Sequence, residues 1–397
     1  MNETSLLPSR HIDRRAGVTH TRLLVIGAGP YGLATAAAAR AAGVEPIVVG
    51  EPMEFWRRNM PSGMFLRSSV DWHLDPVGQH TLAACHEVIG LAAHEAGPIP
   101  LEMFIDYAEW FRTEANIPVH RVRIRELRRR NGLLKAMLED GRRLRADAVV
   151  AAPGVEPFTR LPSWVEHAVS PERYSHSSHV AEPERFAGAR VVIVGGRQSA
   201  FETAALLAEA GAERIDIVHR HDPPRFTAAD WRFVEPLMEA TLRWPGWFRR
   251  QPTAQRQAIE RRFWAEGRLK LEPWLTPRLA RREIRRWPNA TVLSVAERPG
   301  GSMAVTLSGG EILPADHIIL ATGYAADLAR VSYLAGVLDE IRVADGFPVL
   351  DEHFQTSVPG LFITGVAATR DFGPFFGFVR GAPAAATLVA RHIAAAT

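Results

Sequence analysis

Leu23-Leu24-Val25-Ile26-Gly27-Ala28-Gly29-Pro30-Tyr31-Gly32 is the stretch that decides the fold of this chain. Its apolar run, without polar alternation, reads as a strand buried on both faces. The GxGxxG spacing after it reads as a tight turn feeding a helix. Gly27 permits the turn, Gly29 lets the backbone approach a pyrophosphate, and Gly32 allows helix and strand to pack closely. An alanine-rich run to Ala42 supplies the helix, Gly43 stops it, and Ile47-Val48-Val49 supplies a second buried strand. Dinucleotide phosphates placed there would sit on the helix N-terminus, where free N–H groups and the positive dipole end favour an anion. Gly27, Gly29, Pro30 and Gly32 are therefore the phosphate-side candidates. The acid that commonly holds the adenine ribose is missing from its usual place, which is Gly50, so Glu51 takes that assignment.

The same pattern returns further along the chain. Arg190-Val191-Val192-Ile193-Val194 reads as a strand, Gly195-Gly196-Arg197-Gln198-Ser199-Ala200 as the turn, and Phe201 to Ala210 as the helix before Gly211. Two such units imply two dinucleotides facing one another. Gly195, Arg197, Gln198 and Ser199 are the candidates at the second site. Arg197 stands where a glycine would admit the phosphates; it either obstructs them or pairs with them. The next strand ends in His219-Arg220-His221, without an acid, and Arg220 suits the 2′-phosphate of NADP rather than a bare ribose.

Between and after these units the reading is coarser. Leu101 to Glu114 has helical spacing, with Phe104, Ile105, Ala108 and Phe111 on one side. Val119–Ile124, Leu133–Leu138 and Arg142–Val150 read as strands that return the chain to the first sheet. His221 to Asn289 is rich in Trp and Arg and broken by prolines, with a helix expected over Thr253–Glu266. It reads as lid or packing helices, against a protein or membrane contact surface or a nucleic-acid surface. No recognised nucleic-acid module accompanies it. The expected architecture is α/β, with two Rossmann-like dinucleotide-binding domains and a helical Arg/Trp-rich insertion at about 221–289. Residues 1–20 form a loose tail, 21–158 the first domain, 159–310 the second, and 311–397 a return to the first.

At 397 residues the chain is long enough for such a set of domains. A net charge of +3 is too mild to imply nucleic acid. Cys85 is the only cysteine, so there is no CxxC redox pair, which excludes the disulfide-reductase branch of two-nucleotide flavoproteins; nor is there a thiolate zinc site. The polar start, with Arg10, Arg14 and Arg15, has no apolar core for a signal peptide, and the expectation is a cytoplasmic protein without a membrane span.

Taken in order, the motifs resemble the flavin-containing monooxygenase superfamily, and within it the bacterial branch similar to the microbial N-hydroxylating monooxygenases that act on ornithine or lysine. The matching pieces are Gly27 to Gly32, Ser175-His176-Ser177-Ser178-His179, Val194 to Glu202, Leu320-Ala321-Thr322-Gly323-Tyr324 and, more loosely, Trp56 to Pro76. The resemblance spans about residues 20 to 395 and implies FAD at the first site and NADPH at the second. It implies one oxygen atom transferred from dioxygen to a small molecule, as in N-hydroxylation or a related heteroatom oxidation. It places Trp56, Arg67, Thr322, Gly323, Tyr324 and Gly365 with the cofactors. Ser68, Asp71, His73 and Phe375 are candidates for the substrate pocket. No metal is implied, and the cofactor carries the chemistry, so no acid–base constellation is needed and no catalytic residue is assigned. Arg197 for glycine, Gly50 for the acid and Pro153 for a common threonine depart from the pattern. They keep open an oxidase or dehydrogenase with a weakened NADPH site, and a non-catalytic flavin-binding interaction protein.

Overall fold

A computed structural model describes residues 18–69, 71–90 and 98–396. The arginines of the expected N-terminal tail lie outside the described residues. The first strand, β1 (Thr19–Ile26), begins earlier than the apolar run alone suggests. It leads into α1 (Pro30–Ala41) and β2 (Pro46–Val49), then α2 (Leu101–Glu114). Next come β3 (Val119–His120), β4 (Ile124–Arg130), β5 (Leu133–Leu138) and β6 (Arg143–Ala151). β1 runs parallel to both β2 and β6, and β5 pairs antiparallel to the first half of β6. A seven-stranded sheet results.

The second unit is a five-stranded sheet. Its strands are β7 (Tyr174–His176), β8 (Arg190–Val194), β9 (Arg214–His219), β10 (Ile284–Pro288) and β14 (His317–Leu320). All pair in parallel, in the order β10-β9-β8-β14-β7. The helix after β8 is α3 (Gln198–Glu209). An antiparallel meander of β11 (Val292–Glu297), β12 (Met303–Leu307) and β13 (Ile312–Ala315) packs on this sheet through Met303, Val305 and Leu313.

Two expected boundaries move. The run at His317–Leu320 joins β8 of the second sheet, so the second unit extends past residue 310. The chain returns to the first sheet only at β15 (Leu361–Ile363), which pairs with the end of β6. The insertion is also shorter than 221–289, because β10 already belongs to the sheet. Within it lie α4 (Glu235–Arg243) and α5 (Thr253–Gly267). The closing helix, α6 (Gly381–Ala395), lies on α1. Ala34 and Ala38 meet Ala382, Ala386 and Ala390 there, all buried. Residues this small let two helix axes come close.

The two units are tied by a buried carboxyl. Glu202 of α3 is 2% exposed and accepts a hydrogen bond from the Phe65 amide of the first unit at 2.9 Å. Gln198 donates to its other oxygen at 3.4 Å. Burial pushes its pKa up to about 7, against the opposing effects of these bonds and of Arg278 and Arg67. Because the folded value lies above the unfolded one, the stabilising contribution is complete below roughly pH 4.3 and is lost as pH rises through about 7. Glutamine does not titrate. Glu202→Gln should therefore gain on the wild type, by on the order of 2–3 kcal/mol, between about pH 5 and about pH 8. Urea melts of both proteins across that range check this; parallel pH profiles would contradict it.

Candidate functional site

The first site forms where β1, β6 and β15 end together. Gly27 has φ 105°, and a Cβ there would meet the Ala152 carbonyl oxygen at 2.4 Å. A Cβ on Gly32 would stand 1.8 Å from the Gly27 carbonyl oxygen. A Cβ on Gly29, by contrast, meets nothing within 4 Å, because that position faces the open side of the turn. α1 begins at Pro30 with no side-chain cap and no acid in its first turn, so its first amides are free for an anion. Thr364 follows β15 with its Oγ1 buried and without a hydrogen-bond partner, and Gly365 comes next beside Tyr31. An orphaned hydroxyl and an open glycine cradle at a helix start fit a dinucleotide pyrophosphate. Glu51 lies just beyond β2, partly exposed and 3.1 Å from Arg121.

The second site repeats the geometry with tighter walls. A Cβ on Gly195 would meet the Ala321 carbonyl oxygen at 2.4 Å, and one on Gly196 would strike the His219 and His221 rings. α3 starts uncapped and without an acid in its first turn, with Ser199 exposed there. Gln198 is turned inward: its carbonyl accepts from the Glu272 amide at 3.2 Å. The Arg197 guanidinium lies flat on Trp264 of α5, 3.5 Å from the ring centroid. It has no hydrogen-bond or ion-pair partner among the described residues. Burial, with Arg268 and Arg220 nearby, lowers its pKa to about 10, still far above neutrality. The stack occupies one face of the guanidinium and leaves its N–H edges available.

A pair of crossing strands links the units. Thr159 and Tyr324 form an antiparallel bridge, and the Arg160 amide donates to the Gly323 carbonyl at 2.9 Å. The Thr322 hydroxyl donates to the Arg160 carbonyl. His176 Nε2 lies 3.1 Å from the Gly323 oxygen, and burial holds this imidazole neutral, with its pKa at about 4. Thr322 and Gly323 thus link the two crossing segments, while Tyr324, 39% exposed, sets its ring edge-on to His176 with centroids 5.3 Å apart.

Other expected residues are redistributed. Arg67 donates to Glu272, to the Gly267 carbonyl and to the Lys270 carbonyl, so it fastens the insertion rather than offering its donors to a cofactor. Trp56 packs on Phe104 of α2, centroids 4.8 Å apart. Phe375 is 1% exposed and packs on Phe248 and Phe376, which removes it from the substrate wall. Phe378, three residues on, is only half-buried at the edge of the core. Ser68 is half-buried, and Asp71 is exposed and accepts from Ser69 at 3.1 Å. His73 has its Nδ1 buried without a partner, and burial lowers its pKa against the nearby Asp75 charge. The insertion closes over this side through Trp231, 5.3 Å from Trp72, and Phe263, 5.2 Å from Phe378. Arg268, at the end of α5, was not singled out by any motif; its guanidinium sits 5.3 Å over the Phe378 ring. Cys85 is buried, and burial together with Asp106 raises its thiol pKa. Among the described residues no group of His, Cys, Asp and Glu could hold a metal ion, and no helix is long and apolar enough to cross a membrane.

Comparison with known proteins agrees with this layout. The profile of the pyridine nucleotide-disulphide oxidoreductase family matches residues 24–244, more than half of the chain. An FAD-dependent urate hydroxylase of Xanthomonas campestris pv. campestris is 32% identical over 134 residues, which is 32% of this chain but only 28% of that protein. A ferredoxin–NADP reductase of Ignicoccus hospitalis is 24% identical over 343 residues, 86% of this chain and 88% of that one. The ornithine N-hydroxylase of Kutzneria sp. 744, solved with reduced FAD, NADP+ and L-ornithine, superposes with a TM-score of 0.77 at 17% identity, covering 94% of this chain and 99% of its own. That likeness establishes the shared two-unit fold.

The glycine geometry separates binding from folding. Gly29→Ala should fold and melt like the flavin-free wild type yet fail to take up flavin, because its methyl enters only the phosphate path. Gly32→Ala should fail to fold, since its methyl meets backbone. Flavin content after purification, read beside the melting curve, checks both.

Proposed function

The chain belongs to the pyridine nucleotide-disulphide oxidoreductase family, and from that premise we propose that it is an FAD-dependent, NADPH-using monooxygenase acting on a small molecule. The observation that carries the reading is the pair of uncapped helix starts, at α1 and α3, each behind a glycine turn at the end of a parallel sheet. FAD fits the first, with Gly29 admitting its pyrophosphate and Thr364 supplying a hydroxyl. NADPH fits the second. There the α3 amides, Ser199 and the free edges of Arg197 would take the pyrophosphate, and Arg220 the 2′-phosphate. The flavin supplies hydride acceptance and oxygen activation when bound; one NADPH, one proton, dioxygen and substrate give NADP+, water and the oxygenated product. The protein's part is to position the cofactors and to exclude water, which the aromatic insertion over the cleft supports.

A buried, proton-bound lone thiol gives no basis for dithiol chemistry. The competing reading is a reductase that passes electrons to a protein acceptor, favoured by the near full-length match to the Ignicoccus hospitalis enzyme. Isotopically labelled dioxygen separates the two. With NADPH and a panel of candidate small molecules that includes urate, a monooxygenase places one labelled atom in a product. A reductase consumes NADPH only when ferredoxin or another electron acceptor is added, and labels nothing.

The arginines at the second site give a further expectation. Arg220→Ala should cut the preference for NADPH over NADH about tenfold or more, and Arg197→Gly should slow flavin reduction at low NADPH by a similar factor. Stopped-flow reduction under anaerobic conditions reads both. Faster reduction in Arg197→Gly would show that this side chain obstructs the nucleotide.

A further inference from the structure

We propose that the cleft region between Arg268, Phe378 and Tyr324 binds the substrate and selects a flat organic anion, an aromatic or heteroaromatic acid, rather than an amine. This rests on the monooxygenase reading and names the substrate class of that same site.

The charges decide the sign of the ligand. Arg268 is exposed as a residue, yet burial of its guanidinium, with Arg67 nearby, lowers its pKa, and the guanidinium has no hydrogen-bond or ion-pair partner among the described residues. Its neighbours in charge are Arg67 and Tyr324, and Arg197 feels it in turn. The nearby acids are already engaged except exposed Glu156, whose charge reaches Tyr324 but is not among those acting on Arg268. Glu272 holds Arg67, and Glu235 holds Arg380 with the help of Trp72. Asp75 accepts from the amides of Val77, Gln79 and His80. Asp71 lies at the exposed loop edge with Ser69. An ammonium group entering here would meet uncompensated positive charge, whereas a carboxylate or enolate would supply the missing counter-ion.

The walls decide the shape. The Arg268 guanidinium lies over Phe378, whose ring belongs to a cluster with Trp231 and Phe263, with centroid separations of 5.2–6.4 Å among the three. A planar ligand can stack on such a wall and present its anionic edge to Arg268. The position is on the first unit's side of the cleft. The Phe378 carbonyl accepts the Tyr31 hydroxyl at 3.0 Å, and Tyr31 stands in the first turn of α1. In the proposed reading the nucleotide phosphates take Arg197 at the start of α3 and Arg220 just past β9, which leaves Arg268 for a different anion.

The test uses the FAD-loaded protein and calorimetric titration with four probes: urate and 4-hydroxybenzoate as flat anions, L-ornithine and cadaverine as amines. At least one anion should bind saturably and neither amine should. Arg268→Gln should weaken the anion about tenfold or more, and Arg268→Lys, which keeps the charge, should restore part of the loss. Preference for an amine, absence of binding by both anions, or anion binding unchanged in Arg268→Gln would each overturn the proposal. Anaerobic bleaching of the same samples by NADPH separates the two levels. If bleaching is intact while the anions fail, the substrate class falls; if bleaching is lost in the wild type, the monooxygenase reading falls with it.

Discussion

The approach of Gly32 to the Gly27 carbonyl, too close for any side chain, is the contact from which the rest of the molecule follows. It seats α1 directly against the end of β1. That seating points the first amides of the helix at the space above the sheet and leaves Gly29 as the open side of the turn. Tyr31, one residue before Gly32, then reaches the carbonyls of Phe376 and Phe378 and fixes the returning C-terminal segment beside the same turn. A constraint a few residues long in this way positions elements more than three hundred residues apart.

The second constraint lies between the units. Glu202, the Thr159–Tyr324 bridge and the Arg67 fork each join chain segments that are distant in sequence. Two of the three are polar contacts in partly or fully dry surroundings, where an unmatched partner is costly. They hold the two helix starts in one relation while leaving the cleft itself lined by aromatic rings and free guanidinium edges. Stability and function are therefore drawn from different residues: acids are consumed in holding the units together, and the surplus arginines are what the cleft presents.

The sequence revealed what is local. The glycine turns, α2 with its buried Phe104, Ile105, Ala108 and Phe111, and the span of α5 were all legible, because spacing within one element determines them. His317–Leu320 was legible as a buried strand but not as a member of the second sheet; an apolar run reads alike whichever neighbour it pairs with. Arg67 looked like a cofactor ligand because its partners, Glu272, Gly267 and Lys270, lie some two hundred residues away. Phe375 read as a pocket residue, but that its ring packs inward depends on the turn at Gly373 (φ 104°) and on packing against Phe248. Arg268 carried no motif at all. The signal that finds it is a count of acids and bases in the folded cleft, a quantity defined only once the chain is folded.

The proposed function depends on two nucleotides meeting across one cleft, and hydride passage between them is its most direct consequence. The decisive measurement is anaerobic mixing of the FAD-loaded protein with one equivalent of NADPH, followed at the flavin absorbance band. The geometry of α1 and α3 predicts full bleaching with NADPH, and Arg220 predicts slower bleaching with NADH. A flavin that stays oxidised with both nucleotides, while chemical reductants bleach it normally, would contradict the two-site arrangement on which the function rests.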